Sequence, residues 1–167
     1  MMNFEEIVAY AQRAHANHIG YDGKPYWPHV ERVIDNVEQL IDALPPGIFT
    51  PEEREIAKMI AALHDTAEDE KHTGVSHEQL GRDGVPIEVR KPLLRLDRNR
   101  SQIAQYLNNV QAMVIENDKF VLIVKLGDNR ENRYRERTPG METLQKRYDD
   151  AGKLLEAWYE HLKAGTA

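Results

Sequence analysis

The sequence contains no cysteine. That excludes a disulfide framework, a thiolate metal site and a thiol nucleophile. It also lacks any apolar run near the ~20 residues needed to span a bilayer. The longest such runs are Met59-Ile60-Ala61-Ala62-Leu63 and Phe120-Val121-Leu122-Ile123-Val124. Positive charge is not in excess: 22 Lys and Arg stand against 28 Asp and Glu, a net charge of -6. Indiscriminate binding to nucleic acid or to an anionic membrane is therefore not expected, and no stable nucleic-acid partner is anticipated. The opening Met1-Met2-Asn3-Phe4-Glu5-Glu6 has no basic region followed by an apolar stretch. No signal peptide is expected, and a soluble cytoplasmic protein is the default. Repeats and low-complexity segments are also absent.

What is present reads as one helical domain. The 167 residues, 41% hydrophobic and 30% charged, suffice for a single domain with a sizeable core. Asn3 with Glu6 forms a capping box, and Phe4, Ile7, Val8, Ala11 and Ala14 follow at helical spacing. Residues 20–28 read as a loop. Pro28 suits the first turn of a second helix, whose stripe is Val30, Val33, Ile34, Val37, Leu40, Ile41 and Leu44. Thr50-Pro51-Glu52-Glu53 starts a third, which carries Ile56, Ile60 and Leu63 up to His64-Asp65. A charged loop over 68–74, a short helix capped by Ser76, and a helix opened by Pro86 come next. Pro92 predicts a kink or split in the last of these. Ser101 and Asn117-Asp118 start two more helices. Phe120–Val124 has the composition of a buried strand, but no second strand candidate exists to pair with it, so it is read as a buried helix. After a break at Thr138-Pro139-Gly140, an amphipathic helix on Leu144, Tyr148, Ala151, Leu155, Trp158 and Leu162 ends the pattern. The expected fold is an all-α, single-domain bundle spanning 1–167.

The most informative feature is His64-Asp65, two metal-binding side chains at the end of an apolar helix. On a helix of ~3.6 residues per turn they point about 100° apart and can take adjacent corners of one coordination sphere. His29 and Asp128, each beside an apolar helical stripe, complete a mixed nitrogen and oxygen set. Such a set suits Mn²⁺, Fe²⁺, Co²⁺, Ni²⁺ or Zn²⁺ better than Mg²⁺ or Ca²⁺. Glu68 and Asp69 lie four residues after His64 and Asp65. They are placed to orient or deprotonate a water beside the ion. Asn132, one turn beyond Asp128, can hold a substrate oxygen or orient the Asp128 carboxylate. Arg98 and Lys125 stand out from a basic second half as cations for a polyphosphate. Each of these residues alone has a plainer reading, as a cap, a surface group or a solvated acidic loop. Their order and their apolar settings favour the metal site.

The order His, His-Asp, Asp resembles the ligand set of the HD-domain metal-dependent phosphohydrolases. Within them the chain is similar to the hydrolase domain of RelA/SpoT-type alarmone enzymes and to small stand-alone alarmone hydrolases, over roughly residues 5–160. The likeness rests on Ala14-His15, on Asp22-Gly23-Lys24-Pro25-Tyr26 leading to His29, on Ala61–Asp69, on Leu96-Asp97-Arg98, and on Lys125-Leu126-Gly127-Asp128 with Asn132. It implies an all-helical HD fold, a Mn²⁺ ion and removal of pyrophosphate from the 3′ position of guanosine tetra- or pentaphosphate. His29, His64, Asp65 and Asp128 would bind the ion, Glu68 and Asp69 would handle the water, and Asn132, Lys125 and Arg98 would meet the nucleotide. Two positions depart from the family. Gly20 stands where an arginine usually lies near the guanine base, and Glu131 replaces a histidine preceding the matching Asn. Base preference is thus expected to be weak. Another HD nucleotidase and a non-catalytic nucleotide or metal sensor are the competing expectations; the sequence leaves the oligomeric state open.

Overall fold

Local signals start most of the helices. The computed structural model describes residues 1–97, 105–135 and 140–165. Asn3 accepts from the Glu6 N–H and Glu6 returns to the Asn3 N–H, which opens α1, Phe4–Ala14. Pro28 sits in the first turn of α2, Trp27–Asp42. Thr50 and Glu53 make a second capping box, with Pro51 at the first position of α3, Pro51–Leu63. Two short helices follow, α4 over Glu70–Thr73 and α5 over His77–Arg82, the latter capped by Ser76. The segment read as a charged loop therefore contains a helical turn. It is closed by Gly74 at φ 71°, a left-handed conformation that glycine adopts without strain.

The remaining helices are α6 (Ile87–Leu96), α7 (Tyr106–Glu116), α8 (Lys119–Tyr134) and α9 (Glu142–Lys163). Pro92 does not split α6. The helix starts expected at Ser101 and the break at Thr138-Pro139 lie outside the described residues. Asn117 turns left-handed to end α7, and Asp118 then caps α8 by accepting from the Phe120 and Val121 N–H groups. Phe120–Val124 is helical, as read. Val121, Leu122, Ile123, Val124 and Leu126 are all buried, which makes α8 the central helix of the bundle. It packs on α2 and α9, α2 also packs on α3, α1 and α6 lie against α3, and α7 lies against α9. The core is built from Ile7, Val33, Val37, Ile60, Leu63, Leu93, Ile123 and Leu155 among others. Leu94, read as part of the α6 stripe, is instead half exposed. Among the described residues no helix is long and apolar enough to cross a membrane.

Candidate metal centre

Three helices deliver the candidate ligands to one buried point. His29 projects from the first turn of α2, His64 caps the end of α3 with Asp65 next to it, and Asp128 comes from the middle of α8. All four are buried. One ligand atom each of His29, His64 and Asp128 lies within 4.8 Å of the other two. His29 Nε2 is 3.5 Å from Asp128 Oδ1 and 3.6 Å from Asp65 Oδ2. His64 Nε2 is 2.8 Å from Asp65 Oδ2 and 3.8 Å from Asp128 Oδ1.

The chemistry of this cluster fits a cation. His64 Nδ1 donates to the Ala61 carbonyl at 2.7 Å, which sets the tautomer and leaves Nε2 with a lone pair. That Nε2 is buried and makes no hydrogen bond, an arrangement that is costly unless an electrophile faces it. The carboxylates around His29 give the pocket a strongly negative field. Burial pushes the His29 imidazole down, but Asp128, Asp65 and Glu131 reverse that and hold it well above its usual range. Asp128 shows the converse. Burial raises its carboxyl, while the Lys125 ammonium and the His29 and His64 imidazoles prevail and keep it well below the carboxylate range.

A further layer orients these groups. Tyr26 donates its hydroxyl to Asp65 Oδ2. Lys125 Nζ donates to Asp128 Oδ2 at 3.1 Å, and Asn132 Nδ2 donates to Asp128 Oδ1 at 2.6 Å. Two of the three residues expected at the nucleotide thus touch a candidate ligand, and for Asn132 this is the second of its two expected roles. Glu131 Oε1 lies 3.8 Å from His29 Nδ1 and accepts from Arg32 Nε at 2.6 Å. Burial raises the Glu131 carboxyl, but His29 and Arg32 hold it below its ordinary value.

Glu68 and Asp69 follow in the turns after α3, both partly buried, with the Asp69 N–H on the Asp65 carbonyl at 2.9 Å. Arg98 lies outside the described residues. His15 and His18 are 1% and 4% exposed and pack beside the centre. His18 is stacked between Tyr26, 4.0 Å between centroids, and His72, 4.5 Å. The basic residues of the second half are mostly paired. Among the described residues, Arg95 joins Glu116, and Arg130 and Arg133 join Glu156.

Tyr26, Glu131, His15 and His18 are the groups to which the sequence alone gave no role at the centre. A signal for two of them was there: Tyr26 lies three residues before His29, and Glu131 lies three after Asp128 with Arg32 three after His29. Such spacings share a helical face.

A buried two-histidine, two-carboxylate cluster inside an all-α bundle defines the class of centre. Solved structures share the fold. One, described as a metazoan ortholog of SpoT that hydrolyzes ppGpp and plays a role in starvation responses, matches with a TM-score of 0.68 at 21% identity, over 98% of this chain and 88% of that chain. At that identity the likeness establishes the all-α HD-type fold. No family model and no curated protein sequence matches the chain.

Proposed function

We propose that this protein is a metal-dependent phosphohydrolase that removes pyrophosphate from the 3′ position of a guanosine tetra- or pentaphosphate-type nucleotide. The observation that carries this reading is the convergence of His29, His64 and Asp128, with Asp65 against both imidazoles, inside the fold of a ppGpp hydrolase. These four residues would hold the ion, for which Mn²⁺ suits the mixed donor set. When bound, a divalent ion supplies Lewis-acid polarisation of a phosphoryl oxygen and an acidified water. Asp69 and Glu68 would orient the attacking water and accept its proton. Lys125 and Asn132 fix the Asp128 carboxylate, and the Lys125 charge would also attract a phosphate. Arg98 is assigned to the phosphates from the sequence pattern alone. The whole chain is assigned to one such domain, and a cytoplasmic location belongs to the same proposal.

Gly20 favours a second reading, hydrolysis of other 3′-phosphorylated nucleotides, since it offers no side chain to a base. One assay separates the readings: phosphate and pyrophosphate release across a nucleotide panel with Mn²⁺. Pyrophosphate from ppGpp is the expected product, with adenosine and guanosine versions turned over at comparable kcat/KM. Guanine preference above roughly 100-fold, about 2.7 kcal/mol, would show that another residue reads the base. Glu68→Gln and Asp69→Asn should retain metal and lose ~10²–10⁴ in turnover. Parent rates in both would remove the two carboxylates from the chemistry, and no turnover of any nucleotide by the parent would leave a sensor.

A further inference from the structure

We propose that His18 is a positioning residue for Asp69: a buried chain from Thr66 through His15 places a proton on His18 Nε2 and aims it at the Asp69 carboxylate. The inference rests on the reading of Asp69 as the group that acts on the attacking water.

Geometry leaves the His18 ring little choice. Tyr26 stacks on one face and His72 on the other, with interplanar angles of 14° and 6°. The plane of the ring is therefore set, and the contacts of its nitrogens decide which way it is turned in that plane. His18 Nδ1 meets His15 Nδ1 at 2.9 Å, and His15 Nε2 meets the fully buried Thr66 Oγ1 at 3.3 Å. At the far end, His18 Nε2 faces Asp69 Oδ2 at 3.9 Å, within ion-pair range.

Two proton arrangements satisfy the His15–His18 contact. In one, Thr66 donates to His15 Nε2, His15 Nδ1–H donates to His18 Nδ1, and the His18 proton sits on Nε2 facing Asp69. In the other, every donor is reversed, and the bare Nε2 of His18 confronts the carboxylate. Two acceptors facing each other in a buried site is the costly choice. The first arrangement therefore prevails. It points an N–H toward Oδ2, 3.9 Å away, and so favours the orientation of the Asp69 carboxylate that turns this oxygen to His18.

The test uses the whole protein with Mn²⁺ and ppGpp as the probe. Leu replaces the ring without a donor, whereas the amide nitrogen of Gln reaches the place of Nε2. His18→Leu should lower kcat by roughly tenfold or more, with KM within about threefold. His18→Gln should recover most of the loss. Parent kcat in His18→Leu, or equal impairment in the two variants, would overturn the proposal, the latter because it signals ring packing alone. A second measurement needs no turnover, and its first part needs no variant: the imidazole ¹H–¹⁵N spectrum of the parent. His18 should carry its proton on Nε2, and Asp69→Asn should shift that resonance. A proton on Nδ1 overturns the proposal. If the parent does not hydrolyse ppGpp, the substrate reading fails, and the spectrum decides the His18–Asp69 contact by itself.

Discussion

Glu131 illustrates how single side chains set the properties of this centre. From sequence it reads as a departure from the family the chain resembles, one that puts base recognition in doubt. In the fold it lies beside His29 Nδ1 and is tied to Arg32. A carboxylate behind an imidazole raises the basicity of its other nitrogen, here Nε2, the one that faces Asp65 and Asp128. Glu131→Gln keeps the shape and removes the charge. Its Mn²⁺ dissociation constant should rise by roughly 10–100-fold, as read by calorimetric titration. An unchanged constant would reduce Glu131 to a surface partner of Arg32.

At the scale of the element, the critical contact is the crossing of α2 and α8, because these helices carry His29 and Asp128. Gly127 sits at the crossing, one residue before Asp128. A Cβ placed there would meet Val37 Cγ2 at 2.8 Å and the Val33 carbonyl at 3.5 Å. Asn36 pins the same spot by donating to the Gly127 carbonyl at 3.0 Å. Two effects of Gly127→Ala oppose each other. Helix propensity favours alanine by ~1 kcal/mol, while overpacking a buried contact costs ~1–3 kcal/mol. Val37 is buried and stiff at its branch point, so it cannot yield cheaply. The variant should therefore be destabilised by about 1 kcal/mol in urea melts, and it should bind Mn²⁺ more weakly because α8 is pushed off α2. A more stable variant with parental affinity would mean that the two helices have room to spare.

For the whole molecule, the proposed metal binding would be linked to folding, since the candidate ligands come from α2, α3 and α8 and meet only in the native state. Saturation at ~100-fold over the dissociation constant stabilises by ~2.7 kcal/mol. At ~2–4 °C per kcal/mol for a chain of this size, Mn²⁺ should raise Tm by roughly 5–10 °C. His64→Ala should lose most of that shift; an equal shift in both proteins would exclude His64 as a ligand. His15 contributes a pH dependence of its own. Burial pushes its imidazole down from 6.5 to about 4, so the folded state binds fewer protons than the unfolded state between those values. Its contribution is complete above about pH 6.5 and is lost as pH falls toward 4. The loss is about 3 kcal/mol at most, from ~1.4 kcal/mol per unit. Urea midpoints of the metal-free protein at pH 7 and pH 4.5 should drop more steeply for the parent than for His15→Asn. Parallel drops would show that His15 does not titrate differently on folding.

Sequence alone determined what depends on neighbours along the chain. The capping boxes at Asn3 and Thr50, the caps at Ser76 and Asp118, and the helical reading of Phe120–Val124 all follow from contacts within a few residues, where spacing is geometry. The convergence of the candidate ligands His29, His64, Asp65 and Asp128 was legible for a related reason: metal-binding groups set into apolar helices conflict with burial unless something unites them. Only the tertiary structure decided which groups stand behind those ligands. Tyr26 reaches Asp65 across 39 positions, and His15 meets Thr66 across 51. The pairing of Arg130 and Arg133 with Glu156 likewise depends on how α8 lies on α9. Such contacts are set by the packing of whole helices, and no spacing in the chain encodes the angle at which two helices cross.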